Sequence, residues 1–154
     1  MSIAELLTQD AIADGVNASS KRHVLHAVAE LASRSLGVDL QMCLDALIER
    51  ERQGSTGVGF GVAVPHARLP GLQQMRAVFV RLETPVDFES LDEQPVDLVF
   101  GLFAPEEAGA EHLRALARVA RTLRNSSLRD QLRVARTEDA LYTLLAMPAE
   151  SDAA

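Results

Sequence analysis

The segment GSTGVGFGVAVPHARL, residues 54–69, presents a histidine in a way that suits a nucleophile or a metal ligand. Glycines alternate with other residues, an apolar run follows, and Pro65 stands directly before His66. Proline has a fixed φ and no N–H, so it holds the chain stiffly before the imidazole. Because the pKa of imidazole is about 6.5, a large fraction of the side chain is neutral at neutral pH and offers a nitrogen lone pair. That is the form that attacks phosphorus or binds a metal.

The glycines of this segment, Gly57, Gly59 and Gly61, allow two interpretations. They can mark a bulged or sharply turned strand pair whose backbones approach closely. They can also leave space in which the phosphate or backbone of another molecule comes close to His66. A dinucleotide-binding fingerprint is disfavoured, because that motif needs a strand before it and a helix after it. Here a helix precedes the glycines and a strand follows.

Two helices are predicted before this segment. Ser19 or Ser20 caps the first, which ends before Gly37. Asp39 caps the second, which Gly54 ends. Apolar residues recur on one face of each helix, as the helical period requires: Val24, Val28 and Leu31 in the first, and Leu40, Cys43, Leu44, Leu47 and Ile48 in the second.

The middle of the chain has the periodicity of strands. VGFGVAV (58–64) is typical of a short strand, and AVFVRLE (77–83) alternates well enough for a strand that Thr84-Pro85 ends. PVDLVFGLFAP (95–105) is almost continuously apolar, which predicts a central strand covered on both faces.

Helices return after the third strand. The first follows Pro105 and carries an apolar stripe of Leu113, Leu116, Ala120 and Leu123. Two shorter helices are predicted at 127–135 and 138–147, with Thr137 as the cap of the second. The polar tail at 148–154 is predicted to be frayed. Helices on either side of a central sheet, without a repeat or linker, predict one α/β domain.

Composition narrows the class of protein. The chain has 154 residues, 47% hydrophobic and only 4% aromatic, which predicts one domain with an aliphatic core. Its net charge of −7 argues against a general nucleic-acid binder. The single cysteine, Cys43, excludes an intrachain disulfide and is interpreted as a core residue. With neither a signal peptide nor an apolar run long enough to span a bilayer, we expect a cytoplasmic protein without direct membrane insertion.

The segment Glu51 to Ala67, with Val58-Gly59 and the run Val62 to His66, resembles a known active-site signature. It is that of the type-2 (mannitol/fructose and nitrogen-regulatory) IIA components of the bacterial phosphotransferase system. The similarity covers nearly the whole chain and extends to residues 50–53, to LETPVDF (82–88), to QPVDLVFGLFAP (94–105) and to the position of His112. The length is most similar to the stand-alone nitrogen-regulatory member.

The resemblance implies a phosphoryl carrier with the mannitol-type IIA fold, a small mixed β-sheet between helices on both faces. Residues 1–147 would form a single domain of this type. His66 would accept a phosphoryl group from an HPr-like phosphoprotein, and the phosphorylation state would regulate downstream proteins such as a transporter, a kinase or a regulator. Neither a cofactor nor a metal is implied.

The resemblance also suggests residues around the phosphoryl group. Arg50 would place its guanidinium over the phosphoryl oxygens, and in the family the matching arginine lies at the site. His112 lies in the first turns of its helix, where free N–H groups favour an anion, and its ring could donate a hydrogen bond. Ser55 and Thr56 could donate likewise.

Other interpretations stay open. The fold could serve a binding module that is never phosphorylated, and His66 with His112 could form a metal-dependent hydrolase. Arg50 and His112 could be ordinary surface residues of their helices. His23 and His26 are interpreted as surface residues, because no third metal ligand at a matching spacing is evident.

Three further features bear on partners. Arg114, Arg118 and Arg121 are interpreted as a solvated face, with partner docking as the alternative. Phe60 stands where closer relatives of the family tend to carry a polar residue, which could alter partner contacts. Ala67 stands where glycine is common, a mild change that should leave the nucleophile intact.

Overall fold

The computed structural model describes residues 2–147, and the predicted tail at 148–154 lies outside them. The helices are α1 (Ile3–Leu6), α2 (Lys21–Leu36), α3 (Leu40–Arg52), α4 (Ala110–Leu123), α5 (Ser126–Val134) and α6 (Glu138–Ala146). The strands are β1 (Ile12–Val16), β2 (Gly57–Gly59), β3 (Val62–Ala63), β4 (His66–Leu69), β5 (Arg76–Val86) and β6 (Val96–Pro105). A 3-10 turn at Gln9–Ala11 precedes β1.

The strands of the described chain form one six-stranded mixed sheet in the order β1-β5-β6-β3-β2, with β4 also paired to β6. β1 runs parallel to β5, and β3 and β4 run parallel to β6. The β5–β6 and β2–β3 pairs are antiparallel. The predicted small mixed sheet is therefore confirmed.

β3 and β4 follow one another along the same edge of β6. Ala63 is paired with Val99 and His66 with Leu102. Between the two strands the carbonyl of Pro65 accepts a hydrogen bond from the Leu102 N–H at 3.0 Å. Pro65 thus joins the sheet through its carbonyl, at a junction between two strands where it needs no N–H to donate. This junction fixes where β4, and with it His66, begins.

The centre of the sheet is covered on both faces. Ala77, Val78, Phe79 and Val80 of β5 are all fully buried, and successive side chains of a strand point to opposite faces. In β6, the Gly101 backbone approaches α2 so closely that a Cβ would lie 2.8 Å from Val28 Cγ1. The predicted central strand, covered on both faces, is confirmed.

Helix boundaries agree with the capping signals of the sequence. The Ser20 side chain accepts from the His23 N–H at 3.1 Å, which selects Ser20 over Ser19 as the cap of α2. Gly37 ends α2 with the left-handed φ of 75° that favours glycine. The predicted caps of α3 and α6, Asp39 and Thr137, are also confirmed.

Three expectations about the elements were wrong or incomplete. β5 does not end at Thr84-Pro85 but continues to Val86. The proline is tolerated because β1 has already ended opposite Leu82, so no ladder bond is needed on that side. β1 and the short strand β4 were not predicted.

The buried face of α4 also differs from the predicted stripe. Leu113 is 67% exposed, and the buried side chains are His112, Ala115, Val119 and Leu123. The helix is therefore rotated, by less than the roughly 100° of one residue, from the orientation that the leucines alone suggest, because Leu116 and Leu123 still contact the core. This rotation turns His112 inward.

Candidate functional site

The glycine segment forms a tight hairpin beside the site. Gly59 pairs with Val62, and the two-residue loop between them has positive φ at both positions, 61° at Phe60 and 78° at Gly61. This is the backbone form of a hairpin loop that matches the twist of its strands. The interpretation as a sharply turned strand pair is confirmed.

Close contacts within the protein account for the glycines. A Cβ at Gly57 would collide with Ser90, and one at Gly61 would collide with the Arg133 guanidinium. Gly59 has a φ of 97°. The space beside Gly57 and Gly61 is thus filled by the protein's own side chains, and a direct role of these three glycines beside a phosphoryl group stays a prediction.

His66 is the first residue of β4, and both of its ring nitrogens have partners. Nδ1 lies 2.9 Å from the carbonyl oxygen of Val64. Because a carbonyl oxygen can only accept, this contact places the ring proton on Nδ1. Nε2 then carries the lone pair, and it accepts from Arg50 Nε at 3.1 Å. The ring is held as the Nδ1–H tautomer.

Arg50 reaches this nitrogen from the last turn of α3. Its Nη1 donates to the carbonyl oxygen of Gly54 at 2.9 Å, while Nε faces His66. The guanidinium is therefore anchored at one end to the turn after α3 and at the other to the imidazole.

His112 approaches His66 from the first turn of α4. The ring centroids are 5.4 Å apart and the planes are nearly perpendicular, at 82°. His112 is only 6% exposed, and its Nε2 is buried without a hydrogen-bond partner among the described residues. An unpaired buried nitrogen costs about 1–3 kcal/mol. This nitrogen is therefore open to an ordered water or to a group of a bound molecule.

Arg68 adds positive charge that the sequence interpretation missed. It lies two residues after His66 in β4, so both side chains leave the same face of the strand. Arg68 Nε donates to the carbonyl oxygen of Ala108 at 2.9 Å, in the loop before α4. The signal was present in the sequence, but it becomes readable only once β4 is recognised as a strand.

The environment favours neutral rings. Burial lowers the pKa of His66 below its ordinary value, the charges of Arg50 and Arg68 lower it further, and the Val64 carbonyl and Glu51 oppose them. Burial also lowers the pKa of His112, helped by His66 and Arg68. At neutral pH His66 thus keeps an unprotonated Nε2, as a nucleophile requires.

Ser55 and Thr56 have protein partners. Ser55 Oγ donates to the carbonyl oxygen of Phe88 at 2.7 Å, and Thr56 Oγ1 donates to Glu51 Oε1 at 2.6 Å. To reach a phosphoryl group, each hydroxyl would have to give up this bond. Their direct contact with the group stays a prediction. Glu51 itself, a carboxylate only 8% exposed, was not among the predicted site residues.

Other predicted features lie away from this centre. His23 is exposed, and His26 pairs with Glu30 at 3.3 Å. Within residues 2–147, no group of three or more potential ligands among His, Cys, Asp and Glu could hold a metal ion. Over the same range, no helix combines the length and apolar character needed to cross a membrane.

Comparison with known proteins gives a consistent result. The family described as "Phosphoenolpyruvate-dependent sugar phosphotransferase system, EIIA 2" matches residues 5–147. The nitrogen regulatory protein of Bradyrhizobium diazoefficiens is 45% identical over 148 residues, which cover 96% of this chain and 97% of that protein. The nitrogen regulatory protein of Pseudomonas aeruginosa is 42% identical, with 93% and 94% covered.

Solved structures agree with these relatives. The crystal structure of nitrogen regulatory protein IIA-Ntr from Neisseria meningitidis matches with a TM-score of 0.86 and 33% identity, over 93% of this chain and 98% of that one. IIA mannitol from Escherichia coli matches with a TM-score of 0.76 over 90% and 98%. At 22% identity, the second match shows a shared fold only.

Proposed function

The chain belongs to the EIIA type-2 family of the phosphoenolpyruvate-dependent sugar phosphotransferase system, and we propose that His66 Nε2 is its phosphoryl acceptor. As a phosphocarrier similar to nitrogen regulatory proteins, it would take the group from a phosphohistidine of an HPr-like protein. The observation that carries the proposal is the hydrogen bonding of the His66 ring, with Nδ1 on the Val64 carbonyl and Nε2 facing Arg50.

The choice of nitrogen follows from this tautomer. The lone pair on Nε2 attacks phosphorus and forms the new P–N bond. The P–N bond of the donor breaks, and its ring nitrogen leaves with the electron pair. The donor ring, already protonated on its other nitrogen, leaves as neutral imidazole, and the His66 ring becomes the protonated phosphohistidine. Nδ1 keeps its proton, hydrogen-bonded to the Val64 carbonyl, throughout the transfer, so the acceptor ring needs no internal proton transfer.

In this scheme the Arg50 guanidinium has two successive hydrogen-bond partners, the His66 ring and the phosphoryl oxygens. In the structure Nε donates into the Nε2 lone pair, so it must move aside before the P–N bond forms. The Nη1 bond to Gly54 keeps the guanidinium nearby, where it can donate to the oxygens of the arriving group. This exchange of partners keeps the cation beside the charge that it stabilises.

His112 and Arg68 complete the surroundings of the phosphoryl group. The unpaired Nε2 of His112 supplies an N–H donor if its ring proton lies there, and the pairing with a phosphoryl oxygen would satisfy it. Arg68 supplies positive charge close to both rings. Phosphoryl transfer needs positioning and charge stabilisation rather than covalent assistance from the protein.

The output we propose is regulatory. A phosphoryl group adds close to two negative charges to a domain whose net charge is already −7. A downstream protein that buries the His66 surface would meet an unpaired charge there and bind more weakly. Because phosphoenolpyruvate is a cytoplasmic metabolite, the cytoplasm is the proposed place of action.

The proposal is tested by phosphorylation with phosphoenolpyruvate, an enzyme I-type protein and an HPr-type protein, followed by mass spectrometry of the intact chain. We expect one added phosphoryl group, lost in acid and stable in base, and absent from His66→Ala. Labelling that persists in His66→Ala, or that survives acid, excludes the phosphohistidine. An unlabelled wild type would instead favour a binding module that is never phosphorylated.

A further inference from the structure

Glu51 is a buried carboxylate that the proposed transfer does not itself use. It follows Arg50 in the last turn of α3, but its side chain is only 6% exposed. Oε2 accepts from the Thr56 N–H at 2.8 Å and from Lys21 Nζ at 3.1 Å, and Oε1 accepts from the Thr56 hydroxyl at 2.6 Å. Three donors thus converge on one carboxylate, two of them from a single residue.

The first consequence of these bonds concerns the guanidinium. The side chain of Glu51 binds the backbone of Thr56, five residues later, and so closes the turn that follows α3. Gly54 lies inside this closed turn, and its carbonyl oxygen holds Arg50 Nη1 at 2.9 Å. The position of that carbonyl, and therefore of the guanidinium, depends on the closure.

The second consequence concerns the imidazole. The carbonyl oxygen of Thr56 accepts from the Val64 N–H at 2.9 Å. The carbonyl oxygen of Val64 in turn receives His66 Nδ1 at 2.9 Å, the bond that sets the ring tautomer. The support of the ring therefore leads back to the same residue, Thr56, that Glu51 holds.

We infer that Glu51 is a positioning residue, because its buried carboxylate fixes Thr56, where the supports of the reacting ring and of its guanidinium meet. This inference rests on the proposed function for its effect on phosphoryl transfer. The arrangement of the ring that it explains is independent of any donor. Lys21 adds a cation to the same carboxylate and also pairs with Glu89 at 2.9 Å, so the support extends to the loop after β5.

The test compares Glu51→Gln with Glu49→Gln. Glu49 lies in the same helix and loses the same charge on substitution, but its side chain is 64% exposed and, among residues 2–147, forms an ion pair with Arg52 at 3.6 Å. Nitrogen-15 NMR of the His66 ring reports the tautomer and the pKa. Potassium phosphoramidate, a small phosphoryl donor, reports the rate of acceptance without a partner protein.

In Glu51→Gln we expect a mixture of ring tautomers and a lower pKa of His66, since the carboxylate charge raises it. We also expect acceptance slowed about 10- to 100-fold, the usual effect of a small misplacement of reacting groups. Glu49→Gln should match the wild type in all three measurements. A Glu51→Gln protein that loses only thermal stability, with tautomer and rate unchanged, overturns the inference.

A second variant and the wild type keep the outcomes separate. If Glu51→Gln does not fold, Thr56→Val removes only the hydroxyl bond at nearly constant volume and should shift the tautomer in the same direction; an unchanged ring would contradict the inference. If the wild type accepts no phosphoryl group from phosphoramidate or from the HPr-type donor, the proposed function fails, while the tautomer and pKa of His66 still decide the positioning role.

Discussion

Arg50 Nε lies 3.1 Å from His66 Nε2 and donates into the lone pair that a nucleophile must offer. The reactive nitrogen is therefore covered by the cation that would later bind the phosphoryl oxygens. On the proposed function, one side chain would cover the nitrogen at rest and bind the phosphoryl oxygens during transfer, by exchanging one hydrogen-bond partner for another.

Replacement of Arg50 should slow phosphoryl acceptance. Arg50→Lys keeps the charge, but an ammonium group cannot bind the Gly54 carbonyl and the reacting centre in the same forked geometry. We expect a loss of about 100-fold in rate, as for removal of one preorganised donor. The rate of labelling by the HPr-type donor measures it, with Arg52→Lys, 73% exposed at the end of the same helix, as the control. A rate equal to that of the wild type would show that Arg50 is not at the reacting centre.

The two histidines should make folding stability depend on pH. Both have a folded-state pKa below the ordinary 6.5, so the unfolded chain binds protons first as the pH falls. Their contribution to stability is fully present above about pH 6.5 and is lost as the pH falls towards the folded-state pKa values. Urea unfolding between pH 8 and 5 (roughly the range around the imidazole pKa) should show stability that rises with pH. The double variant His66→Gln/His112→Gln should flatten this slope, and an equal slope in both proteins would contradict the assignment.

Phe60 should lower the folding stability, because its backbone conformation is unfavourable for a residue with a Cβ. Its φ of 61° lies in the left-handed region, which Asn tolerates better than Ala or Phe. Its ring, however, lies 4.4 Å below the Arg129 guanidinium, a favourable contact. Phe60→Ala and Phe60→Asn both lose the ring, so their difference isolates the backbone. We expect Phe60→Asn to be more stable by about 1 kcal/mol in urea unfolding, and the reverse order would show that the turn rearranges.

Phosphorylation should weaken binding to a regulated protein without remodelling the fold. The added charge is local, and a desolvated mismatch of a few kcal/mol corresponds to roughly 10- to 1000-fold in affinity. Isothermal titration of both forms against a regulated partner measures this difference. His66→Ala should resemble the unmodified form, and His66→Glu should imitate the phosphorylated form only in part. Backbone NMR shifts spread through distant helices would contradict the local mechanism.

The parts of the fold that are set locally were predictable. Ser20, Asp39 and Thr137 cap their helices through bonds to N–H groups three residues later, and such signals stand in a short stretch of sequence. β1 was not predictable in this way, because its pairing joins Ile12 to Phe79, which lies 67 residues later in the chain. No local pattern reports a partner so distant.

The residues of the site divide in the same way, into those that the local sequence indicates and those that only tertiary structure reveals. The Pro65-His66 pair and the family resemblance pointed to His66 as the proposed nucleophile, and the resemblance pointed also to Arg50 and His112. Arg68 escaped notice because β4 has only four residues, too few for a period to show. Glu51 escaped notice because a charged residue near a helix end is usually solvated, and only tertiary contacts reveal that this one is buried.

The hydrogen bond from His66 Nδ1 to the Val64 carbonyl bears on how partner proteins can bind at the site. A flip of the ring would break this hydrogen bond, so the bond favours one orientation of Nε2. On the proposed function, the donor must deliver its group, and a regulated protein must cover the ring, from that one direction. The two partners then exclude each other. An abundant regulated protein would cover His66 and so slow the phosphorylation of this chain by the donor. The degree of phosphorylation would then depend on the concentrations of both the donor and the regulated protein.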